Sequence, residues 1–341
     1  MFGNPGCPSA PGGQLGSGST GASDFTSFTT GSKVTITPTA HPTYTAPAAA
    51  TSGNPAATPL LSTGQTLGNG TVFPLTQTVI QTQNGGVSPA NQVFAGLTKS
   101  PMDGGATLTV NSWNPTGSST FTLEIPGLGI TVASGTANQF SSSDLLKGAA
   151  TLPGGGNFRL TAANVNYAAL GFWEVDATLG GAPLIFVSSF ITGYETPISG
   201  MPTTGTANYA GTSNVAGIVT TLSGGFNRGA ILGDASYTAN FGTNSLTGAF
   251  TNMNVISDNG TAVSMPWNNV SITSTISGSH FSGSVTAASP ASPNAYTLTG
   301  NTAGIINGSF YGPNANELAG VWSFMDSTHV AVGVAHGKQG P

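Results

Sequence analysis

Along most of this chain the apolar residues stand singly, each alternating with Ser, Thr, Gly or Asn. The period is two, as in strands that bury one face, and not the 3.6 of a helix. Runs of this kind are 71–75, 77–83, 106–113, 120–125, 129–133, 158–162, 167–175 and 183–190. Only Ser141–Lys147 reads as a short helix, with Ser or Asp available as its cap. Residues 1–24 carry almost no apolar content and read as a disordered Gly/Ser/Pro leader. A lone strand is expected at Lys33–Thr37, and a Pro/Ala/Thr stretch, His41–Pro59, follows as a surface loop or extended edge.

A break falls at Glu195–Pro202, where two prolines and a glycine interrupt the alternation. Beyond it the rhythm is regular, with strands expected at 206–210, 216–222, 233–241, 245–255, 269–276, 280–286, 296–299, 304–310, 317–324 and 328–335. Short strands at this spacing, joined by tight turns, predict an antiparallel up-and-down β-barrel over residues 200–340. Glycines at 248, 283, 308, 320 and 333 fall mid-strand, where they permit the coiling that closure demands. Closure also removes the edges that so uncharged a sheet would expose.

Charge narrows the function classes. Only 5% of the 341 residues are charged, the formal net charge is −5, and Lys plus Arg number six. Such a surface does not suit nucleic acid, which needs a basic footprint. No apolar run approaches the roughly 18 residues of a spanning helix. The amide- and hydroxyl-rich surface fits a protein outside the cell. Cys7 is the only cysteine, so no intrachain disulfide is expected. Its surroundings invite a lipid anchor, but no apolar signal stretch precedes it here. Cys7 therefore reads either as an anchor whose signal lies outside this sequence or as incidental. Gly16–Gly21 fits a dinucleotide fingerprint in letters only, because no strand precedes it and no helix follows. No serine-hydrolase elbow, zinc-protease pair or phosphate loop occurs, so no enzyme is expected.

The densest motif is Gly308–Trp322, GSFYGPNANELAGVW, which reads as a strand, a turn on Gly312 and Pro313, and a second strand. Tyr167–Trp173 and Met201–Gly211 precede it in the chain. Together these segments resemble the barrel domain of the transferrin-binding protein B-like surface proteins of Gram-negative bacteria. The resemblance covers about residues 165–340. It implies an all-β lobe: an N-terminal β-rich handle over 25–195, then an eight-stranded barrel filled by side chains. It further implies a single lobe, akin to the haem-capturing hemophilins and related lipoproteins, secreted or held on the outer-membrane surface. Such relatives bind through loops at the handle and barrel tips. Gly308, Phe310, Tyr311, Gly312, Pro313, Glu317 and Gly320 are then scaffold and carry no binding site.

Candidate residues are few. Glu317 is expected to fix its own turn by accepting backbone N–H groups. Glu174 and Asp176 alternate on one strand and read as its solvated side, with an acid–base or Ca²⁺ pair as the rival reading. Haem binding requires one or two imidazoles in an apolar slot. His280 is expected to be exposed, His329 to alternate against Val330 and Val332, and His41 to lie in a reachable loop. Trp267, in Met265–Asn269, is expected to be exposed at a loop edge, where a Trp marks binding. Asn69, Asn259, Asn269 and Asn307 read as turn residues. The functional expectation is a non-enzymatic module that captures haem, an iron-carrier protein or another host protein. The alternative is a structural adhesin or assembly subunit, for which self-association is expected.

Overall fold

The alternating runs fold as strands, and those before and after the Pro-rich break do so in different ways. The computed structural model describes residues 70, 72–83, 92–98, 106–112, 120–125, 130–133, 145–151, 157–164, 167–179, 182–221, 227–257 and 263–340. His41, Cys7, Lys33–Thr37, Asn69 and Asn259 lie outside the described residues. Before the break come β1 (Val72–Pro74), β2 (Thr76–Gln83), β3 (Gln92–Thr98), β4 (Thr107–Ser112), β5 (Thr120–Ile125), β6 (Ile130–Ala133), β7 (Leu145–Thr151), β8 (Asn157–Asn164), β9 (Ala168–Leu179) and β10 (Ala182–Gly193). They make a four-stranded sheet in the order β1-β4-β5-β6 and a six-stranded sheet in the order β3-β2-β10-β9-β8-β7. The Thr192 hydroxyl donates to the Pro74 carbonyl at 2.7 Å, and Phe73 meets Tyr194 edge-on at 5.5 Å, tying the two sheets.

After the break come β11 (Thr206–Thr221), β12 (Arg228–Asn240), β13 (Ser245–Ser257), β14 (Ser264–Pro266), β15 (Val270–Ser277), β16 (His280–Ala287), β17 (Ala303–Tyr311), β18 (Glu317–Met325) and β19 (His329–Gln339). Every pairing among them is antiparallel and between neighbours in the chain, except that β13 pairs with β15 past the short β14 and β11 also pairs with β19. That last ladder closes an eight-stranded up-and-down barrel. The short β14 lies outside the ring, paired with the far half of β13.

Inward positions fill the barrel with rings. Trp322 lies 6.1 Å from Trp267, 6.0 Å from Phe250 and 5.9 Å from Phe324, centroid to centroid. Phe310 meets Tyr209, Phe241 and Phe281 at the other end. The mid-strand glycines give these rings their seats. A Cβ on Gly333 would stand 2.2 Å from the Trp322 ring, and one on Gly217 2.5 Å from it. None of the five glycines expected to relieve curvature has a positive φ. Their smallness, more than their conformational freedom, is what the barrel uses.

Four expectations change. Leu145–Lys147 belong to strand β7 and not to a helix: Leu145 pairs with Ala163 and Thr151 with Asn157. Gly148 and Thr151 are poor helix formers, and the ladder to β8 satisfies the backbone instead. The runs 206–210 and 216–222 are one strand, β11, carrying a bulge between Gly211 and Val215. Tyr296–Thr299 is no strand. The Asn294 side chain accepts from the Tyr296 N–H at 3.0 Å and folds the segment as a turn. Tyr296 and Leu298 then plug the barrel end beside Trp267. Asn307 sits mid-strand in β17, buried, and not in a turn.

Replacing Gly333 by Ala is expected to lower unfolding free energy by about 1–3 kcal/mol, because the Trp322 ring must move off its seat. Urea denaturation against wild type measures it. An unchanged midpoint would contradict the seat.

Candidate functional site

The six-stranded sheet lies against the outside of the barrel across β18 and β19. Ile191, Ala319, Val321 and Val334 form the apolar centre of that joint, with Tyr167 and Tyr311 beside them. Glu317 opens β18 and is 1% exposed. Its Oε2 accepts from the Tyr167 N–H at 3.0 Å and from the Ala168 N–H at 3.3 Å, so it caps the start of β9 across the joint, where the sequence reading had it serving its own turn. Gly312 makes this approach possible. Its φ is +85°, and a Cβ there would stand 2.7 Å from the Tyr167 ring. Pro313 follows it in the turn, and the Pro313 carbonyl packs on Gly200.

The segment linking β10 to β11 threads through the same joint. Glu195 forms a bridge with Tyr311, the Thr196 N–H donates to the Phe310 carbonyl at 2.9 Å, and the Gly312 N–H donates to the Tyr194 carbonyl at 3.1 Å. Glu195 Oε1 comes within 3.6 Å of His280 Nδ1, and Ser309 Oγ lies 3.0 Å from the same nitrogen. His280 is therefore half-buried, not freely exposed, because register places Ser309 beside it and the linker crosses over it. Burial pushes the Glu195 carboxyl up to about 7, against a smaller lowering by its Ser309 hydrogen bond. Burial also lowers His280 below its ordinary value. The Tyr311 hydroxyl is raised well above the usual range, by burial first and then by the carboxylates Glu195 and Glu317. Serine, histidine and carboxylate meet here, but Ser309 and Glu195 address the same imidazole nitrogen. A nucleophilic relay needs them on opposite nitrogens. The cluster binds the joint together and does not assemble a relay.

The remaining candidates fall elsewhere. Trp267 is 4% exposed, donates its indole N–H to the Tyr296 carbonyl at 2.9 Å and packs on Trp322 and Phe324. The plug turn over residues 294–299 covers it, which overturns the expectation of an exposed anchor. His329 is buried at that same end. Its Nε2 lies 2.8 Å from the Ala295 carbonyl and its Nδ1 2.8 Å from Thr328 Oγ1. His280 is at the opposite end of the barrel, so these two imidazoles do not converge. His336, on the outer face of β19, is held down to about 4, by burial first and then by Lys338. With both His329 nitrogens engaged and His280 turned to Ser309, the described histidines do not make an axial pair for haem. Among the described residues no group of three or more His, Cys, Asp or Glu is placed to hold a metal ion. No helix among them is long and apolar enough to cross a membrane.

Glu174 is part-exposed, as a solvated strand face allows, and both its oxygens are paired. Arg159 Nη2 lies 3.1 Å from its Oε1, and Arg228 Nη1 lies 3.3 Å from its Oε2. Sequence reasoning missed both arginines and Glu195. Their signal was rarity: only 5% of the residues are charged, and these three are paired or buried.

Residues 201–339 match the family model described as C-lobe and N-lobe beta barrels of Tf-binding protein B. Among solved structures, a variant of the vaccine antigen Transferrin Binding Protein B from Haemophilus parasuis Hp5 is 17% identical, with TM-score 0.41, over 73% of this chain and 48% of that one. Isotype 1 Transferrin binding protein B from serogroup B Neisseria meningitidis is 18% identical, with TM-score 0.39, over 78% and 44%. The N-lobe domain of Lactoferrin Binding Protein B of Moraxella bovis is 20% identical, with TM-score 0.30, over 53% and 79%. The chain spans about half the length of the Haemophilus protein it matches. No curated protein matches it.

Replacing Glu195 by Gln is expected to separate the joint's pH dependence from its packing. The folded pKa is raised, so the carboxyl's contribution is fully present below about 4.5 and is lost as pH rises to about 7. Relative to wild type, the Gln variant should gain on the order of 3 kcal/mol across that window, then stay level. His280 acts with opposite sign, its contribution being lost as pH falls below 6.5. Unfolding curves at pH 4.5, 7 and 8.5 measure it, with a Glu195→Gln/His280→Gln double variant removing both. A constant difference from wild type would refute the assignment.

Proposed function

From the match of residues 201–339 to the Tf-binding protein B barrel model we propose that the chain is a transferrin-binding protein B-like, non-enzymatic binding module on the outside of a bacterial cell. Its cargo is an iron-carrier protein or haem, taken from the surroundings. The observation that carries the reading is the filled, closed barrel over the matched residues, with its ladder complete and its interior occupied by rings. A barrel without internal space holds its ligand on the outside. Low charge supports a contact made through hydroxyls, amides and single apolar side chains.

The two ends of the barrel differ. One is sealed against the linker, where Tyr209 donates to the Ala315 carbonyl at 2.8 Å and Phe241 covers Phe310. The other carries the plug, and there Val263, just before β14, is 58% exposed. We assign capture to this second end, which the β9–β10 hairpin also approaches through Glu174 and Arg228. Exposed apolar residues ringed by polar ones are the usual anchors of protein contacts.

Two assays test the reading. Immobilised protein is incubated with purified iron-carrier proteins in iron-loaded and iron-free forms, and haem is titrated while the Soret absorbance is followed. Retention of a carrier or a saturable Soret shift supports capture. Failure of both, with self-association in sedimentation, would hand the chain to the structural reading. Val263→Asp is expected to weaken capture of a carrier by tenfold or more, as loss of an interface anchor does. Ile198→Asp, at a still more exposed residue but at the sealed end, should leave it unchanged. Surface plasmon resonance compares the two.

A further inference from the structure

Residues 194–204, between β10 and β11, form a strap laid across both halves of the molecule. Glycines with positive φ stand at its two ends, Gly193 at +145° and Gly205 at +85°, so the chain can turn sharply at each. The strap's fastening is concentrated at one point. The Tyr194 N–H donates to the Tyr167 carbonyl at 2.9 Å, on the side of the sheet. On the side of the barrel, the Tyr194 carbonyl accepts from Gly312 and the Thr196 N–H donates to Phe310. Among the described residues, the next backbone bond from this segment to the barrel is at Gly205, whose carbonyl accepts from the Phe241 N–H at 3.0 Å. Between these points Ile198 rests over the Gly278 turn and Gly200 against the Pro313 carbonyl. Glu195 lies between the two fastening residues and is 4% exposed.

We propose that the strap is a pH-sensitive clasp: with the Glu195 carboxyl protonated it stays fastened to β17, and once the carboxylate forms it lifts between Gly193 and Gly205. Each element around Glu195 contributes to that balance. β16 brings His280, its Nδ1 3.6 Å from Glu195 Oε1, and β17 brings Ser309 and Tyr311. In register beyond Tyr311 come Glu317 of β18 and then the exposed Lys338 of β19. His336 of β19 stands one row away, opposite Ala319, and burial keeps it neutral at ordinary pH. Tyr194 on the strap and Tyr167 before β9 add phenols. A carboxylate formed here is shut from water beside Tyr311, with Glu317 one strand further on. Lifting the strap returns it to solvent. With the strap down, burial holds the Glu195 carboxyl up at about 7; with the strap lifted it returns to the ordinary 4.5. Opening therefore becomes easier as pH rises from 4.5 to about 7, then levels off. His280 offsets part of this, because its own contribution to closure is lost as pH falls below 6.5. Only the strap moves, and the eight-stranded ladder stays closed. The clasp does not depend on what the plug end captures.

Amide hydrogen exchange of the whole chain, read by mass spectrometry and corrected for the chemical exchange rate at each pH, tests the clasp. The readout is exchange in residues 194–204 relative to β13, a strand of the same barrel that does not touch the strap. His280→Gln removes the opposing titration. In that variant, relative opening of the strap should rise on the order of fiftyfold from pH 5 to pH 8, the ratio set by a carboxyl carried from 4.5 to about 7. Wild type should rise less steeply, and Glu195→Gln should lose the rise. Circular dichroism checks each variant. If one variant does not fold, the other suffices, because the ratio of wild type to Glu195→Gln isolates the same titration. A level response in His280→Gln, a rise that survives in Glu195→Gln, or a rise shared equally by β13 overturns the proposal.

Discussion

The ladder between β11 and β19 closes the barrel, and the other features of this half depend on it. Nine residue pairs join the two strands, interrupted once by the bulge near Gly211. Without that ladder both strands would be long edges with very few charges to guard them. With it, the backbone is satisfied around the ring and the inner face becomes a closed volume. Rings then fill the volume, and glycines at Gly217 and Gly333 admit the largest of them, Trp322. Closure also gives the outer face of β19 a fixed shape, against which the N-terminal sheet can rest.

The joint between sheet and barrel combines an apolar centre with carboxyls on its border. Glu317 receives two backbone N–H groups of the N-terminal sheet, and Glu195 sits among Ser309, His280 and Tyr311. Neither carboxyl faces water, and each is held by hydrogen bonding that fixes orientation. The signature turn around Gly312 and Pro313 thus acts at a distance from its own hairpin. It ties the start of β9 and the linker to the barrel, while Glu174 further along β9 meets Arg228 of the barrel.

Much of the barrel was readable because alternation is a strong signal when one face is buried. Val270–Ser277 and His280–Ala287 are strands with the turn at Gly278, as their pattern requires. The misreadings have a common physical origin. Trp267 and Tyr296 cover each other, and that contact cannot be seen from local order when 29 residues separate them. Leu145 and Leu146 looked helical only because their partner strand, β8, was not considered. Glu317 was recognised as an acceptor of backbone N–H groups, but its donors lie 150 residues earlier in the chain. Local pattern specifies faces; long-range pairing specifies what those faces meet.

The closing seam joins strands more than a hundred residues apart in the chain, with Tyr209 set opposite Gln339. A ring of this kind cannot be completed until its final strand is available, so the loop-closure cost falls late in folding. Until then the aromatic interior has no lid and one edge of the first strand, the edge away from β12, has no partner. A chain that must cross a membrane before folding would meet no conflict, since an unclosed barrel stays threadable. The same seam would then act as a one-way latch, making the compact form appear only after the last segment has passed.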